Sequence, residues 1–112
     1  MNASVFLCKS DELTDGRYRE FHVETGNDSV FLVATRHHGD LRAWYNVCPH
    51  QGRALNFAPD RFITDDNGHL VCCAHGAVFE PDGGQCISGP CRNAELKAVT
   101  ISESGGNVSI RL

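Results

Sequence analysis

The segment VCCAHGAVF, residues 71–79, contains two adjacent cysteines and a histidine. In it, Cys72 precedes His75 by three positions. Earlier in the chain, in the sequence CPH, Cys48 precedes His50 by two positions. Each pair joins a potential thiolate to an imidazole directly after a predicted strand, and these are ligand types that transition metals prefer. The two pairs therefore indicate a metal centre built from two loops.

Three interpretations of the four residues remain open from spacing alone. A Cys₂His₂ zinc site usually has two or more residues between paired ligands, whereas C-x-H has one, and residues two apart in a strand lie about 6–7 Å apart. A [2Fe–2S] cluster with two thiolates on one iron and two imidazoles on the other accommodates both spacings. Buried free cysteines beside chance histidines are the third interpretation, although two glycine-flanked pairs beside predicted hairpins argue against it.

Composition narrows the class of protein. The chain has 112 residues, 41% of them hydrophobic and 21% charged, and a net charge of −4, which is typical of one globular domain and argues against nucleic-acid binding. No apolar run is long enough for a membrane span, and the first residues lack the basic segment of a secretory signal. We therefore expect a cytoplasmic protein whose six cysteines are metal ligands or free thiols.

Short β-like runs separated by turn residues predict an all-β fold of small antiparallel sheets. The turns contain Gly, Asn or Asp, which tolerate positive φ, as in TGND, HHGD, DDNGH, PDGG and SGGN. The middle of the chain, 48–91, holds five of the six cysteines and all four prolines, which indicates a loop-rich module set into a β scaffold. The predicted strands are Ser4–Lys9, Tyr18–Val23, Ser29–Thr35, Leu41–Val47, Leu70–Cys72, Val78–Glu80, Leu96–Ile101 and Val108–Leu112.

The sequences CPHQGRAL at 48–55 and CCAHGAVFEPDGGQCISGPC at 72–91 resemble the Rieske iron–sulfur proteins. The likeness is greatest to the small soluble Rieske-type ferredoxins of bacterial oxygenase systems and to the small subunit of assimilatory nitrite reductase. It implies the Rieske fold, three small antiparallel sheets with a cluster-binding subdomain, about 44–94, inserted in a basal domain, about 1–43 and 95–112.

The resemblance also implies the site. Cys48 and Cys72 would be the thiolate ligands, and His50 and His75 the imidazole ligands, of one Rieske-type [2Fe–2S] cluster. Tight loop turns would fall at two glycines, Gly52 and Gly76.

The resemblance further implies a one-electron carrier with no catalytic residues of its own. It would take electrons from a flavin-dependent NAD(P)H reductase and pass them to a terminal oxygenase or another reductase, without nucleic-acid or membrane partners. The alternatives are the non-haem subunit of a nitrite reductase-like complex and a zinc-stabilised interaction module.

A low reduction potential is expected within the Rieske span of about −150 to +300 mV. High-potential Rieske proteins join their cluster loops with a disulfide, whose positions correspond here to Arg53 and Ala74. They also carry hydroxyl groups that hydrogen-bond the cluster sulfurs, where this chain has Ala77 and Phe79. Fewer donors stabilise the reduced state less.

Other residues near the motifs are expected to have structural roles. We expect Cys73 to be a packed thiol, and Cys86 and Cys91 to be two free thiols close to each other and to the cluster. Three arginines are candidates for a positive rim that docks an acidic partner. They are Arg53, Arg61 and Arg92.

Overall fold

The computed structural model describes residues 4–49, 52–74 and 76–112. Within these residues the chain forms ten strands and one 3₁₀ turn, Ser10–Glu12. The strands are β1 Ser4–Lys9, β2 Tyr18–Thr25, β3 Asp28–His37, β4 Asp40–Tyr45, β5 Ile63–Thr64, β6 Leu70–Val71, β7 Val78–Phe79, β8 Cys86–Ser88, β9 Thr100–Ser104 and β10 Asn107–Arg111. They make three antiparallel sheets with the orders β1-β10-β9, β2-β3-β4 and β5-β6-β7-β8. The predicted all-β fold with three small antiparallel sheets is confirmed.

Two hairpins turn where the sequence predicts positive φ. Between β3 and β4, His38 and Gly39 have φ of 52° and 86°, and between β9 and β10, Gly105 and Gly106 have φ of 58° and 82°. Two successive residues with positive φ form the type I′ turn, whose twist matches that of paired strands. The turn chemistry thereby sets the register of both hairpins.

The sheet β2-β3-β4 is the middle layer and buries both of its faces. On β3, Leu32 packs in one core with β1, β9 and β10, whereas Val33 packs in a second core with β6 and β7. On β4, Ala43 and Trp44 divide between the same two cores. Successive strand residues point to opposite faces, so an unbroken apolar run is what a doubly covered sheet requires. The second core continues into the cluster motifs.

Three strand assignments need correction. The short strands β5 and β8 were not predicted, although the turn predicted at DDNGH, 65–69, does join β5 to β6. The predicted strand Leu96–Ile101 is wrong in its first half, because the β9 strand begins only at Thr100. The residues before it bond elsewhere: the Leu96 N–H donates to Gly84 and the Lys97 carbonyl accepts from Tyr45.

The four-stranded sheet β5-β6-β7-β8 lies wholly inside the predicted cluster-binding range, 44–94. The division from a basal domain, 1–43 and 95–112, stays a prediction. In the part of the chain that the structure describes, no helix is long and apolar enough to cross a membrane.

Candidate metal centre

The two Cys/His motifs form loops with the same backbone hydrogen bonds. In the first, the Cys48 N–H donates to the Arg53 carbonyl at 2.7 Å, and the Cys48 carbonyl accepts from the Gly52 N–H at 2.8 Å. In the second, the Cys72 N–H donates to Ala77 at 2.8 Å, and the Cys72 carbonyl accepts from a glycine N–H at 3.0 Å. Each loop therefore closes five residues after its cysteine, despite the different Cys–His spacings.

The glycines at the ends of these loops adopt the conformation that the turns demand. Gly52 has φ of 71° and Gly76 has φ of 74°, values that side chains other than glycine rarely adopt. The expected tight turns at both positions are confirmed.

Both cysteines that begin the loops are buried in the second core. Cys48 and Cys72 are each 2% exposed and pack with Leu55, Ala77 and Phe79. Two thiols held in apolar surroundings at the start of paired loops suit a cofactor bound through thiolates and shielded from water. The donor set therefore fits an iron–sulfur centre.

His50 and His75, the predicted imidazole ligands, lie outside the described residues. Among residues 4–49, 52–74 and 76–112, no three His, Cys, Asp or Glu side chains converge on a metal position. The assignment of all four ligands stays a prediction, supported by the two described thiols and the loop geometry.

A third segment packs against the second loop. A Cβ built on Gly89 would lie 2.8 Å from the Ala77 Cα, and Gly89 has φ of 96°. This contact brings residues 86–91 onto the loops, with Cys86 and Cys91 buried among them. The Cys91 thiol lies 3.1 Å from the Cys86 sulfur, so the expected approach of the two thiols is confirmed. Both are free.

The environment of Cys91 keeps its thiol protonated. Burial, together with hydrogen bonding and charge from Cys86 and Cys48, raises the pKa of Cys91 to about 12. A neutral thiol is a weak hydrogen-bond donor, and this one donates to the Cys86 sulfur.

Asn46 anchors the first loop, although sequence reasoning treated it only as a strand residue. It is 4% exposed, its Oδ1 accepts from the Leu55 N–H at 2.8 Å, and its Nδ2 donates to the Asn56 Oδ1 at 2.8 Å. The signal that could have identified it is a lone polar residue at the end of an apolar run, two positions before Cys48.

A carboxylate clamp ties this loop region to the middle sheet. The Glu20 carboxylate on β2 accepts from the Asp60 N–H at 2.6 Å and from Asn56 Nδ2 at 3.1 Å. In return, the Asp60 carboxylate accepts from the Glu20 N–H at 2.8 Å and from Arg19 Nε at 3.0 Å. These reciprocal bonds hold the segment between the two loops in place.

The prediction that Cys73 is a packed thiol is wrong. Cys73 is exposed, because it lies in the turn that follows Cys72 rather than in extended backbone. Its thiol instead donates to the Asn56 carbonyl at 3.4 Å, and its N–H donates to Leu55 at 3.4 Å. These contacts tie the second loop to the segment that directly follows the first loop.

The three arginines proposed as one rim lie in different surroundings. Arg53 is exposed on the first loop, Arg92 lines a cleft of about 390 Å³ with Cys86, and Arg61 lines a separate cleft of about 340 Å³ with Tyr18. Because Arg61 and Arg92 line different clefts, they do not share one cleft, and the positive rim through all three arginines stays a prediction.

Known proteins share the sequence pattern and the fold of this chain. The sequence profile of the Rieske [2Fe-2S] domain matches residues 3–102. The chain belongs to the Rieske [2Fe–2S] family. It is accordingly an electron-transfer component that carries one Rieske-type [2Fe–2S] cluster.

Individual Rieske proteins support this assignment. The ferredoxin component of the alkene monooxygenase system of Xanthobacter autotrophicus (strain ATCC BAA-1158 / Py2) is 37% identical over 106 residues, which cover 95% of this chain and 79% of that protein. Among solved structures, the complex of reduced oxygenase and oxidized ferredoxin in carbazole 1,9a-dioxygenase contains a chain with a TM-score of 0.74 and 20% identity, covering 96% of this chain and 91% of that one.

The same fold occurs inside a larger enzyme. The terminal oxygenase of carbazole 1,9a-dioxygenase from Novosphingobium sp. KA1 matches with a TM-score of 0.79 and 18% identity over 97% of this chain. Our chain spans only 29% of the length of that oxygenase chain. At these identities the structural matches establish the fold.

Proposed function

We propose that the protein is a low-potential Rieske ferredoxin that delivers single electrons to the terminal component of an oxygenase system. The observation that carries the proposal is the pair of matching loops, each beginning with a buried cysteine. The similarity to an alkene monooxygenase ferredoxin over 95% of the chain favours an oxygenase partner over a nitrite reductase-like complex.

In this proposal Cys48 and Cys72 bind one iron, and His50 and His75 bind the other. When bound, such a cluster accepts and returns one electron. The protein holds the two thiolates in a dry core through Leu55, Ala77 and Phe79, while the loop hydrogen bonds fix the direction in which each cysteine presents its sulfur. A rigid environment of this kind reduces the rearrangement that accompanies electron transfer.

The low potential follows from the groups around the loops. Ala77 and Phe79 are fully buried and carry no hydroxyl, so neither side chain can donate a hydrogen bond to a cluster sulfur. We expect a midpoint below about +100 mV, within the Rieske span. A redox titration that places it above this value would refute the low-potential assignment.

The ligand assignment is tested by single substitutions. Cys48→Ser and Cys72→Ser should abolish the visible absorption and the bound iron, because each removes a thiolate that holds the cluster. Cys73→Ser is the matched control: it changes the adjacent thiol, keeps a donor toward Asn56, and should retain both signals. Cluster loss in the Cys73 variant would show that the pair has been misassigned.

The electron donor is proposed to be a flavin-dependent NAD(P)H reductase, since a nicotinamide supplies electrons in pairs and a flavin can release them singly. We place the protein in the cytoplasm, where free thiols such as Cys8 and Cys73 stay reduced. Reconstitution tests the donor: electrons that the reductase takes from NADH should be transferred to the oxygenase only when this protein is added. Copurification of the chain as a permanent subunit of a nitrite reductase would contradict the proposal.

A further inference from the structure

Cys86 and Cys91 are two thiols that the proposed electron transfer does not use. The Cys91 S–H donates to the Cys86 sulfur at 3.1 Å, and both residues belong to the second core. Two sulfurs joined in a disulfide lie about 2.0 Å apart, so this pair has to approach by only about 1 Å to become bonded. Both thiols are free, and they are placed to be oxidised together.

The backbone holds the two cysteines next to each other. The Cys86 N–H donates to the Ala94 carbonyl at 2.8 Å, and the Ala94 N–H donates to the Cys91 carbonyl at 2.9 Å. The Asn93 N–H also donates to the Cys86 carbonyl at 3.2 Å. Because Ala94 is hydrogen-bonded to both cysteines, a side-chain movement of about 1 Å can join the sulfurs while the backbone keeps its place.

Cys86 borders a cleft that a small polar molecule can enter. Although Cys86 is only 4% exposed, it lines a cleft of about 390 Å³ together with Arg92 and Asn93. Hydrogen peroxide is small enough for this space and can form hydrogen bonds with those two polar side chains. Cys8 lies in the first core and Cys73 is exposed, so neither has this combination of a buried partner thiol and a neighbouring cleft.

We infer that Cys86 and Cys91 form a reversible disulfide when the protein meets a hydroperoxide, and that this bond fastens the segment 86–91 onto the second loop. This role goes beyond electron transfer and uses thiols that are not proposed as cluster ligands.

The oxidation balances with hydrogen peroxide as the oxidant. In the first step the Cys86 sulfur bonds one oxygen of the peroxide, the O–O bond breaks, and the thiol proton leaves with the other oxygen as water. In the second step the Cys91 sulfur bonds the Cys86 sulfur, the S–O bond breaks, and the hydroxyl leaves with the Cys91 proton as a second water. The two thiols lose two electrons, which reduce the peroxide to water.

The fastening follows from the place of the segment in the fold. Gly89 lies between the two cysteines, and a Cβ built on it would lie 2.8 Å from the Ala77 Cα, so the segment is in close contact with the second loop. A cross-link removes many of the open conformations available to the chain that it closes. The disulfide therefore makes the segment leave the loop less readily, and we expect the cluster to be released more slowly.

Peptide mapping after mild oxidation tests the bond. Cluster-loaded Cys73→Ser, which lacks the exposed thiol, is treated with a small excess of hydrogen peroxide, and its remaining thiols are blocked with N-ethylmaleimide in denaturant. Cleavage before aspartate releases residues 82–112, which contain Cys86 and Cys91 and no other cysteine.

This peptide should be lighter by two hydrogens and carry no maleimide, and treatment with dithiothreitol before the blocking step should restore both labels. A peptide that carries two maleimides after oxidation, that contains sulfinic or sulfonic acid instead of the disulfide, or that is joined to another peptide would overturn the inference.

The rate of cluster release tests the fastening. In a fixed urea concentration, the visible absorption of oxidised Cys73→Ser should bleach about three- to tenfold more slowly than that of the untreated variant, a modest effect because a short closed loop gains less from a cross-link than a long one. Reduction of the oxidised sample with dithiothreitol should restore the faster rate.

The matched control combines Cys73→Ser with Cys86→Ser. The serine hydroxyl keeps a donor toward the Ser88 carbonyl, which accepts from the Cys86 thiol at 3.2 Å, but it cannot form the disulfide, so peroxide should not slow the bleaching. If this control does not fold, the dithiothreitol reversal on the single variant gives the same comparison. Equal bleaching rates with and without the bond would overturn the fastening role.

Discussion

Replacing Asn46 with alanine should weaken the first cluster loop without touching a ligand. The change removes the acceptor of the buried Leu55 N–H and the donor to Asn56, both at 2.8 Å. A buried N–H left without a partner costs about 1–3 kcal/mol, and a lost neutral hydrogen bond costs about 0.5–1.5 kcal/mol. The expected destabilisation is therefore about 2–4 kcal/mol, a large part of the about 5–15 kcal/mol that stabilises a typical domain.

Because cluster loss accompanies unfolding, the appropriate measurement is a rate. The bleaching of visible absorption in a fixed urea concentration should accelerate by up to about 30- to 700-fold, at about 1.4 kcal/mol per tenfold. Fluorescence of Trp44, the single tryptophan, follows the core at the same time. Asn107→Ala is the control, since that side chain is exposed and accepts a hydrogen bond from the Lys9 ammonium on the surface. Similar rates for the two variants would refute the anchoring role of Asn46.

Three further expectations concern packing, acid stability and pH-dependent redox behaviour. Gly84→Ala places a Cβ 2.5 Å from Trp44 Nε1 at φ of 73°, so overpacking should add about 1–3 kcal/mol of destabilisation to the positive-φ cost of about 1–2 kcal/mol. Gly105→Ala has open space around its Cβ, so urea unfolding should show only the positive-φ cost. Equal losses of unfolding free energy in the two variants would contradict this expectation. Hydrogen bonding by Arg36 lowers the pKa of Glu103 from 4.5 to about 2. This pair therefore stabilises the fold above pH 4.5, and its contribution disappears as the pH falls toward 2. Glu103→Gln should reduce the loss of stability on acidification, and an unchanged stability–pH curve at acidic pH would count against the pair. If His50 and His75 bind the cluster as proposed, their imidazoles should lose the second proton more readily in the oxidised state, so the midpoint should fall at alkaline pH. A constant midpoint up to about pH 10, near the alkaline end of ordinary side-chain pKa values, would oppose imidazole ligation.

Much of the outer scaffold was predictable because local signals agree with the fold. The strand Ser4–Lys9 has the predicted bounds, and the Gly-containing turns at His38–Gly39 and Gly105–Gly106 adopt the positive φ values that their residue types favour. Apolar runs of five or more residues, bounded by such turns, carry enough information to place a strand within two or three residues.

The region around the metal centre was less predictable because long-range contacts determine it. Strands β5 and β8 are two and three residues long and are stabilised by their neighbours rather than by propensity. The exposure of Cys73 depends on a turn that loop closure imposes, and the role of Asn46 depends on Leu55, nine residues away. Cys48 and Cys72 could be proposed as ligands from the sequence because the spacing of each cysteine from its histidine is itself characteristic of the chemistry.

The EPR spectrum of the reduced protein tests the central claim most directly. Ligation by Cys48, Cys72, His50 and His75 should give one [2Fe–2S] signal per chain, with an average g below that of an all-cysteine cluster. A colourless protein that contains zinc, or an average g at the all-cysteine value, would contradict the proposed centre.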